Sequence, residues 1–322
     1  IRKPTTYGSG SHANATNPGG GVIRLKVAES LSVNGVVTAM GGNNYNSFWD
    51  AGAGGSVWIS AKTLSGIGSI DANGGWCTHS DSGEGGGGRV AVWLTGAGAD
   101  FSNFDTAKIT ANGGRKSNDA KNPVTSGCGT VYLKTGNEAE DEGTLVISNP
   151  GAKLGAAAMS ARISPAVTDT DVGTVIVKGG ARLLVTNATL TVSGDWGPHE
   201  RAPNLGGTVA FADASRTSHV YGSTTFSHFS CTEPGKRIEF DTSEGAVTRI
   251  REAGALTILG AEGYSVVLRP MTEDVPWRIA VGDRSVPTLA HVDVALSDAR
   301  EGMLLVATDS TVSELQGNQN WS

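Results

Sequence analysis

Short stretches of alternating apolar and polar residues recur along the chain and are separated by glycine. Clear examples are VIRL at 22–25, VWIS at 57–60 and VAVW at 90–93. Alternation with a period of two over about four to seven residues is typical of half-buried β-strands. No comparable stretch has the period of about 3.6 residues that an amphipathic helix needs. The pattern therefore predicts an all-β protein.

Equivalent apolar residues recur at intervals that fit a repeating unit. They are Ile23, Val57, Val90, Val131, Val175 and Val209, at intervals of 34, 33, 41, 44 and 34 residues. Repeats of about 20 to 45 residues built from short strands indicate a solenoid or a propeller. A propeller needs about four strands per blade and a closing aromatic pattern, which we do not find. We therefore expect a single-stranded parallel β-helix with long loops on one face.

Alternation within the repeats predicts which side chains face the core. Inward columns are expected from Ile23 and Leu25, Val57 and Ile59, Val90 and Val92, and Val131 and Leu133. The intervening residues Arg24, Trp58, Ala91 and Tyr132 are expected to point outward. Asn73 and Asn112 each precede a Gly-Gly pair, so we expect an asparagine ladder at this corner, interrupted by Met40 in the first coil.

Composition narrows the class of protein further. Glycine accounts for 46 of the 322 residues, only 17% of residues are charged, and the formal net charge is −6. The glycines lack the period of three that collagen requires, and low charge argues against a disordered tail. Basic residues are not clustered as nucleic-acid binding requires, and no apolar run is long enough to span a membrane. The chain begins at Ile1 in a polar loop, which indicates a fragment of a longer protein.

Three cysteines, Cys77, Cys128 and Cys231, are scattered along the chain without metal-site spacing. Cys77 and Cys128 fall in what the repeat predicts to be equivalent loops. A disulfide between them and three free thiols both remain open, with free thiols the preferred interpretation.

The glycine-rich sequences GGGVIRL, GGSVWISAKTLSGIGSIDANGG and GGGGRVAVWL resemble β-helix repeats of large secreted or cell-surface bacterial proteins. These repeats are grouped with haemagglutinin-like adhesins and autotransporter passengers of right-handed, pectin-lyase-like architecture. The resemblance implies one continuous β-helix domain over 1–322. It would have regular glycine-rich coils at 1–135, less regular coils at 136–254 and closing coils at 255–322. It implies no catalytic residue.

Candidate chemistry lies in the loops after each Gly-Gly pair, because such loops stack on one face of a solenoid. Aromatic rings beside carboxylates and amides are typical of sugar-binding grooves, where ring faces stack on the sugar and polar groups bind hydroxyls. The candidate ligand-binding residues are Tyr45, Trp49, Asp50, Trp76, His79 and Arg115. The alternative is that rings such as Phe48 only pack on the next loop, and this packing interpretation is the preferred one.

Catalysis would require an acid and a base within reach of each other. The candidates are Asp50, His79, Asp81 and Glu84, but no recognisable catalytic signature surrounds them. No metal site or cofactor is predicted, although loop carboxylates leave structural calcium possible.

The sequence therefore predicts an extracellular structural or adhesive module, secreted or on the cell surface, whose stacked loops bind a polysaccharide or cell-surface glycan. The alternative is a carbohydrate-active enzyme, a polysaccharide lyase or a glycoside hydrolase of pectin-lyase-like fold. Whether the chain is an enzyme stays open, with the non-enzymatic interpretation preferred.

Overall fold

The structure is a computed structural model that describes residues 1–11, 17–45, 49–79, 82–116, 126–151, 160–199, 204–312 and 316–322. Its regular structure is almost entirely β-strand, and most strand pairs are parallel. The all-β prediction is therefore confirmed. Contacts divide the chain into two compact units, one of Ile1–Arg162 with Val177–Arg182, the other of Ile163–Ile176 with Leu183–Ser322. One continuous domain stays a prediction.

The strands are short, as the alternating stretches predict. The first ten are β1 (Val22–Lys26), β2 (Ser30–Ser32), β3 (Val36–Thr38), β4 (Ser56–Ala61), β5 (Thr63–Ser65), β6 (Ser69–Asp71), β7 (Arg89–Leu94), β8 (Ile109–Thr110), β9 (Thr130–Lys134) and β10 (Thr144–Ser148). A 3-10 turn, Thr106–Lys108, precedes β8. The others are β11 (Ser160–Ile163), β12 (Asp171–Val172), β13 (Thr174–Lys178), β14 (Arg182–Val192), β15 (Asn204–Phe211), β16 (Thr217–Val220), β17 (Thr224–Cys231), β18 (Arg237–Phe240), β19 (Thr248–Leu259), β20 (Val266–Pro270), β21 (Trp277–Val281), β22 (Val286–Ala290), β23 (Val292–Val294) and β24 (Ser297–Asp298).

In the first unit, successive repeats lie side by side in parallel register. β1, β4, β7 and β9 form one sheet in that order, so Ile23, Val57, Val90 and Val131 are neighbours in one row. β2 pairs with β5, and β3, β6 and β8 form another parallel sheet in that order. In both sheets, strands of successive repeats lie side by side. The predicted equivalence of Ile23, Val57, Val90 and Val131 is therefore confirmed.

The inward columns of this unit form one apolar core. Val57, Ile59, Val90 and Val92 have no exposed surface, and the other predicted inward residues pack against or belong to the same cluster. Burial of such side chains stabilises a fold by about 1.5 to 3 kcal/mol each. The predicted inward positions are confirmed.

The outward residues of the same strands are also largely buried. Trp58, Ala91 and Tyr132 lie outside the core cluster, yet at most 9% of their surface is exposed. The N-terminal residues cover this face, since the Ser56 hydroxyl donates to the Thr6 carbonyl at 2.7 Å. On the far side, the Tyr132 hydroxyl donates to the Glu140 carbonyl at 2.8 Å. Alternation predicts the side on which a residue lies, but not whether another segment covers that side.

The prediction that Val175 and Val209 continue this row is wrong. β10 runs antiparallel to β9, which breaks the parallel succession after Val131. Val175 instead bridges Trp196. Val209 pairs with Leu190 on one side and Phe229 on the other. Similar Gly-Thr-Val sequences misled the alignment, because the register depends on loop length between strands and not on the strand sequence alone.

The predicted asparagine ladder is present only as a single side-chain to backbone hydrogen bond between Asn73 and Asn112, because Asn112 Oδ1 has no partner among the described residues. Asn73 accepts from the backbone N–H of Asn112 at 2.7 Å. A buried asparagine that sequence reasoning missed, Asn149, accepts in the same way from Gly113 at 3.0 Å. In the first coil the N–H of Met40 donates to Thr38 Oγ1 at 3.1 Å instead. Each such bond satisfies a corner N–H that has no strand partner.

The second unit contains two parallel sheets. One includes β14, β15, β17 and β19 in that order, with β21 and β22 both paired to β19. The other has the order β16, β18, β20, β23. Aromatic side chains fill the core, with Phe240 stacked on Trp277 at 4.0 Å between ring centroids. Towards the C-terminus, residues 308, 311 and 319 add single parallel bridges to this unit.

All three cysteines are free and buried. Cys77 lies in a row between Asn44 and Lys116, whereas Cys128 lies two residues before the start of β9. The two thiols therefore do not occupy equivalent positions, contrary to the sequence prediction. Of the two alternatives left open by the sequence, the structure contains the free thiols.

Candidate functional site

The loops that follow the Gly-Gly pairs stack on one another in the first unit. Parallel bridges join Asn44 to Cys77 and Cys77 to Lys116, so three successive loops share one register. Side chains reinforce it, because Asn43 Oδ1 accepts from the N–H of Trp76 at 3.0 Å, and Thr78 Oγ1 donates to the Tyr45 carbonyl at 2.8 Å. The prediction that loops stack is confirmed for these residues.

This stacking brings two candidate aromatic residues into contact. The rings of Tyr45 and Trp76 lie 4.7 Å apart between centroids, at an interplanar angle of 74°. Edge-to-face pairs of this kind are favourable by about 0.5 to 1.5 kcal/mol beyond burial. Tyr45 is 62% exposed and Trp76 is partly exposed, so the ring pair is open to solvent.

Trp49 and Asp50 follow in the same first loop. Trp49 is 38% exposed, and its carbonyl accepts a hydrogen bond from the Asn44 side-chain amide. The exposed Asp50 carboxylate accepts from the N–H of Gly83 at 2.6 Å, which ties the first loop to the second. Asp50 therefore serves the loop stacking directly.

Glu84 pairs with a lysine from the third loop. Its carboxylate lies 3.0 Å from the ammonium of Lys116, which also donates to the His79 carbonyl at 3.2 Å and to the Ser82 carbonyl. The Cys77 sulfur lies 3.7 Å from the same ammonium. Lys116 thus fills a small pocket of oxygen and sulfur atoms and holds loops two and three together.

The ionisation of this cluster follows from burial and from its charges. Burial raises the pKa of the Cys77 thiol, and the nearby Glu84 carboxylate raises it further. Burial acts to lower the pKa of Lys116, but the hydrogen bond and charge of Glu84 outweigh it, and the pKa is raised. The stable state is a neutral thiol beside an ammonium–carboxylate pair, and a neutral thiol is a poor nucleophile.

The other candidates have more limited roles in the described structure. Arg115 is partly exposed, and its carbonyl accepts from the N–H of Cys77 at 3.2 Å. His79 is partly exposed, and its carbonyl accepts a hydrogen bond from the Lys116 ammonium. Asp81, a catalytic candidate, and Phe48 lie outside the described residues.

A second group of polar and charged side chains, missed by sequence reasoning, lies in the second unit. The outward residues of β16, β18 and β20 include His219, Glu239 and Arg269, which are neighbours in one register row. Asp195 precedes Trp196, which bridges Val220, and so lies at the end of this row. The sequence separation of 24, 20 and 30 residues between neighbours hid the group, since only the register aligns them.

His219 is held between two carboxylates. Its Nδ1 lies 2.8 Å from Asp195 Oδ1, and its Nε2 lies 3.4 Å from Glu239 Oε2. Asp195 Oδ1 also accepts from the backbone N–H of His219 at 2.9 Å, which holds the carboxylate in place beside the ring. Arg237 contributes an ion pair to Glu239 at 2.7 Å. The carboxylates face opposite nitrogens of the ring, an arrangement that orients an imidazole rather than one that chelates a metal.

Tyr221 and Asp241 extend this group beyond the strand ends. Burial raises the pKa of the Tyr221 phenol, and the negative charges of Asp195, Asp241 and Glu239 raise it further. Burial acts to raise the pKa of Asp241, but hydrogen bonds from Ser243 and Gly222 outweigh it and lower the pKa. Asp241 is therefore a stable carboxylate beside a protonated phenol.

Comparisons with known proteins return no relative. No family model, no curated protein and no solved structure matches the chain. In the described part of the chain, no helix is long and apolar enough to cross a membrane. Among the same residues, no three His, Cys, Asp or Glu side chains form a group suited to a metal ion.

Proposed function

We propose that this chain is a glycan-binding structural module with the architecture of a right-handed parallel β-helix. The parallel register of three strand sets around one core in the first unit supports this architecture. Handedness and membership of the haemagglutinin-like repeat group are part of the proposal. Architecture is weak evidence for function, so the binding proposal rests on the loops.

The loop face, defined as Tyr45, Trp49, Asp50 and Trp76, is the proposed glycan-binding surface. The Tyr45–Trp76 ring pair is the observation that carries the proposal, because the two rings are in contact, exposed to solvent and positioned by two stacked loops. Exposed rings of fixed orientation stack on the apolar faces of sugars, and adjacent polar groups bind hydroxyls. His79 and Arg115 belong to the edge of the same loops.

The proposed setting is extracellular, as a secreted or cell-surface adhesive element. The repetitive glycine-rich strands, the low charge and the polar loops support this setting. In this view the strand array holds the loop face at a fixed position, and the loops make the contacts with a polysaccharide or cell-surface glycan. No cofactor is part of the proposal.

A glycan array probed with the whole chain tests the binding proposal. For a glycan that binds, Tyr45→Ala and Trp76→Ala are each expected to weaken affinity at least about tenfold, equivalent to about 1.4 kcal/mol. Tyr264→Ala is the matched control, since Tyr264 is also exposed, at 69%, but lies in the second unit. Absence of binding to every glycan, or an equal loss with Tyr264→Ala, would contradict the proposal.

A carbohydrate-active enzyme is the second candidate function, and one observation favours it. His219 is oriented by Asp195 and lies beside Glu239, so an aligned base and acid are present on a strand face. Release of reducing ends or unsaturated sugars from a polysaccharide panel, lost in His219→Gln, would support an enzyme. If no polymer in the panel is cleaved, this candidate fails while the binding proposal is unaffected.

A further inference from the structure

The dipeptide Asn-Gly occurs three times in this chain, at 34–35, 73–74 and 112–113. In this dipeptide the backbone nitrogen of glycine can attack the asparagine side chain, because glycine has no Cβ that would crowd the nitrogen or restrict the backbone. The second and third pairs lie at the corners that follow β6 and β8, whereas the first pair lies between β2 and β3. Since the covalent chemistry is the same in all three pairs, any difference in their reactivity comes from the folded structure.

In the second and third pairs the glycine N–H is hydrogen-bonded and the glycine is buried. The N–H of Gly74 donates to the Asn112 carbonyl at 2.8 Å, and the N–H of Gly113 donates to Asn149 Oδ1 at 3.0 Å. A nitrogen held in this way reacts only when the corner opens, and local opening of buried, hydrogen-bonded backbone costs free energy. The fold therefore protects both of these pairs.

The glycine of the first pair is open to solvent. Asn34 and Gly35 are both exposed, and nothing lies within 4 Å of a Cβ built at Gly35. Among the described residues the Gly35 N–H has no hydrogen-bond acceptor, whereas the Gly35 carbonyl accepts from the N–H of Ser69 at 3.0 Å. The nucleophilic nitrogen is therefore accessible to water, while the residue that contains it is attached to the second coil.

The side chain of Asn34 is positioned by two hydrogen bonds. Its Oδ1 accepts from the backbone N–H of Ile67 at 3.3 Å, and its Nδ2 donates to Ser32 Oγ at 3.4 Å. Attack on the side-chain carbonyl carbon moves negative charge onto Oδ1, and an N–H donor at that oxygen stabilises the charge as an oxyanion hole does. The first pair thus combines an accessible nitrogen with a polarised carbonyl.

We propose that Asn34 is a site of spontaneous covalent modification, at which the Gly35 nitrogen attacks the side chain. A bond forms between that nitrogen and Asn34 Cγ, the Cγ–Nδ2 bond breaks, and the Gly35 amide proton leaves with Nδ2 as ammonia. Water then opens the succinimide, with its hydroxyl going to a carbonyl carbon and its proton returning to the Gly35 nitrogen. Opening at Cγ gives aspartate, and opening at the backbone carbonyl gives isoaspartate. The reaction needs no other reactant and does not depend on the proposed function.

The isoaspartyl product changes the path of the chain between β2 and β3. The main chain then runs through the former side chain of Asn34 and is longer by a methylene group. Every residue of β3 is paired with β6, and Val37 packs against the apolar core. A longer connection displaces Gly35 from its bond with the N–H of Ser69, so we expect the modification to loosen β3.

Incubation of the whole chain at mildly alkaline pH, followed by digestion at acidic pH and peptide mass spectrometry, tests the proposal. In the folded chain, Asn34 is expected to deamidate at least about tenfold faster than Asn73 and Asn112, which react only after local opening. In guanidinium chloride the three rates are expected to agree within about threefold, because the unfolded chain exposes all three pairs alike. A protein isoaspartyl methyltransferase with a labelled methyl donor identifies the isoaspartyl product.

Gly35→Ala is the diagnostic variant, because the position accepts a Cβ without a contact while the added methyl group crowds the attacking nitrogen. It is expected to slow deamidation of Asn34 at least about fivefold. Ile67→Ala is the matched control, since it changes an exposed side chain, keeps the backbone N–H and should leave the rate unchanged. The proposal is overturned if folded wild type modifies Asn73 or Asn112 as fast as Asn34, or if Gly35→Ala reacts at the wild-type rate.

Amide hydrogen exchange of the peptide that contains β3 tests the structural consequence. Exchange is expected to be faster in incubated wild type than in fresh Asn34→Asp, which has the new carboxylate but the normal main chain. Equal exchange in the two samples, with isoaspartate present, would overturn the loosening of β3 and leave the site of modification established by the rates above.

Discussion

At the scale of single residues, several charged groups are placed inside the protein for structural reasons. Lys236 has no exposed surface, and its ammonium donates to the carbonyls of Ser193, Asp213 and Arg216 at 2.8 to 3.0 Å. Lys134 is also buried, and its ammonium donates hydrogen bonds to the carbonyls of Leu94 and Thr135. Both lysines donate to backbone oxygens at or beside the ends of strands, and so they link the turns that follow those strands.

The Lys236 ammonium provides a pH-dependent contribution to stability. Burial lowers the pKa of Lys236 from its usual 10.5 to about 8. Between these values the unfolded chain binds the proton and the folded chain has released it, so the free energy of unfolding rises with pH. The slope is at most about 1.4 kcal/mol per pH unit for one proton.

Chemical denaturation of wild type and Lys236→Met between pH 7 and 10 measures this contribution. The difference between the two proteins gives the contribution of Lys236, including its coupling to Cys231, and removes that of the other cysteines and of the tyrosines that titrate in the same range. Wild type is expected to gain stability relative to the variant as the pH rises above about 8. A difference that does not change with pH would show that Lys236 keeps its proton.

At the scale of strands, glycine allows neighbouring coils to approach closely. A Cβ added at Gly88 would lie 2.1 Å from the carbonyl oxygen of Gly55 in the preceding coil. One added at Gly129 would meet the Gly88 carbonyl in the same way. These glycines precede β7 and β9, so the repeated Gly-Gly pairs are needed for close packing at the start of each strand.

Gly88→Ala is therefore expected to lower the free energy of unfolding by about 1 to 3 kcal/mol, the usual cost of overpacking. The matched control is Gly35→Ala, because a Cβ at Gly35 meets nothing within 4 Å and the residue has no positive φ. The control should change stability by less than about 0.5 kcal/mol. Urea denaturation midpoints of the two variants compare them directly, and equal midpoints would refute the close-approach explanation.

At the scale of the whole molecule, each of the two units has its own buried apolar residues and at least one buried cysteine. Cys128 belongs to the first unit and Cys231 to the second. Burial raises the pKa of Cys128 to about 12 and that of Cys231 to about 11. Neither forms appreciable thiolate near neutral pH, and neither is accessible to a reagent while its unit is folded.

Pulse alkylation across a urea gradient uses these thiols as reporters of unfolding. Cys128 and Cys231 are each expected to react only over the urea range in which the surrounding unit unfolds, with peptide mass spectrometry to separate the two sites. A free thiol in a model peptide serves as the reference rate. Alkylation at that reference rate in the absence of urea would contradict the burial of the cysteine concerned.

Much of the first unit could be predicted from the sequence, and the second could not. The row Ile23–Val57–Val90–Val131 follows from glycine-marked repeats of similar length. In the second unit the separations between partners vary, from 20 residues for Ser218 and Ile238 to 30 for Ile238 and Leu268. Variable loops leave no regular spacing to find, and for that reason the His219 row escaped prediction.

The contacts of the candidate site could likewise be predicted only in part. Stacking of the loops could be predicted because their strands are in register, and the Tyr45–Trp76 contact follows from it. The partners of Asp50 and Glu84 could not, since a carboxylate can bind any nearby N–H or ammonium and only the folded loops select Gly83 and Lys116.

By itself, the sequence determined the all-β class, the inward columns of the first unit and the corners at which glycine is required. These depend on local periodicity and on backbone sterics, which act over a few residues. Only the tertiary structure decided that the N-terminal residues lie on the outward face of the first sheet, where Thr6 accepts from Ser56 and Lys3 lies over the Trp93 ring, and that β10 reverses direction. Such contacts join segments far apart in the chain, and no local pattern encodes which segment will cover an exposed face.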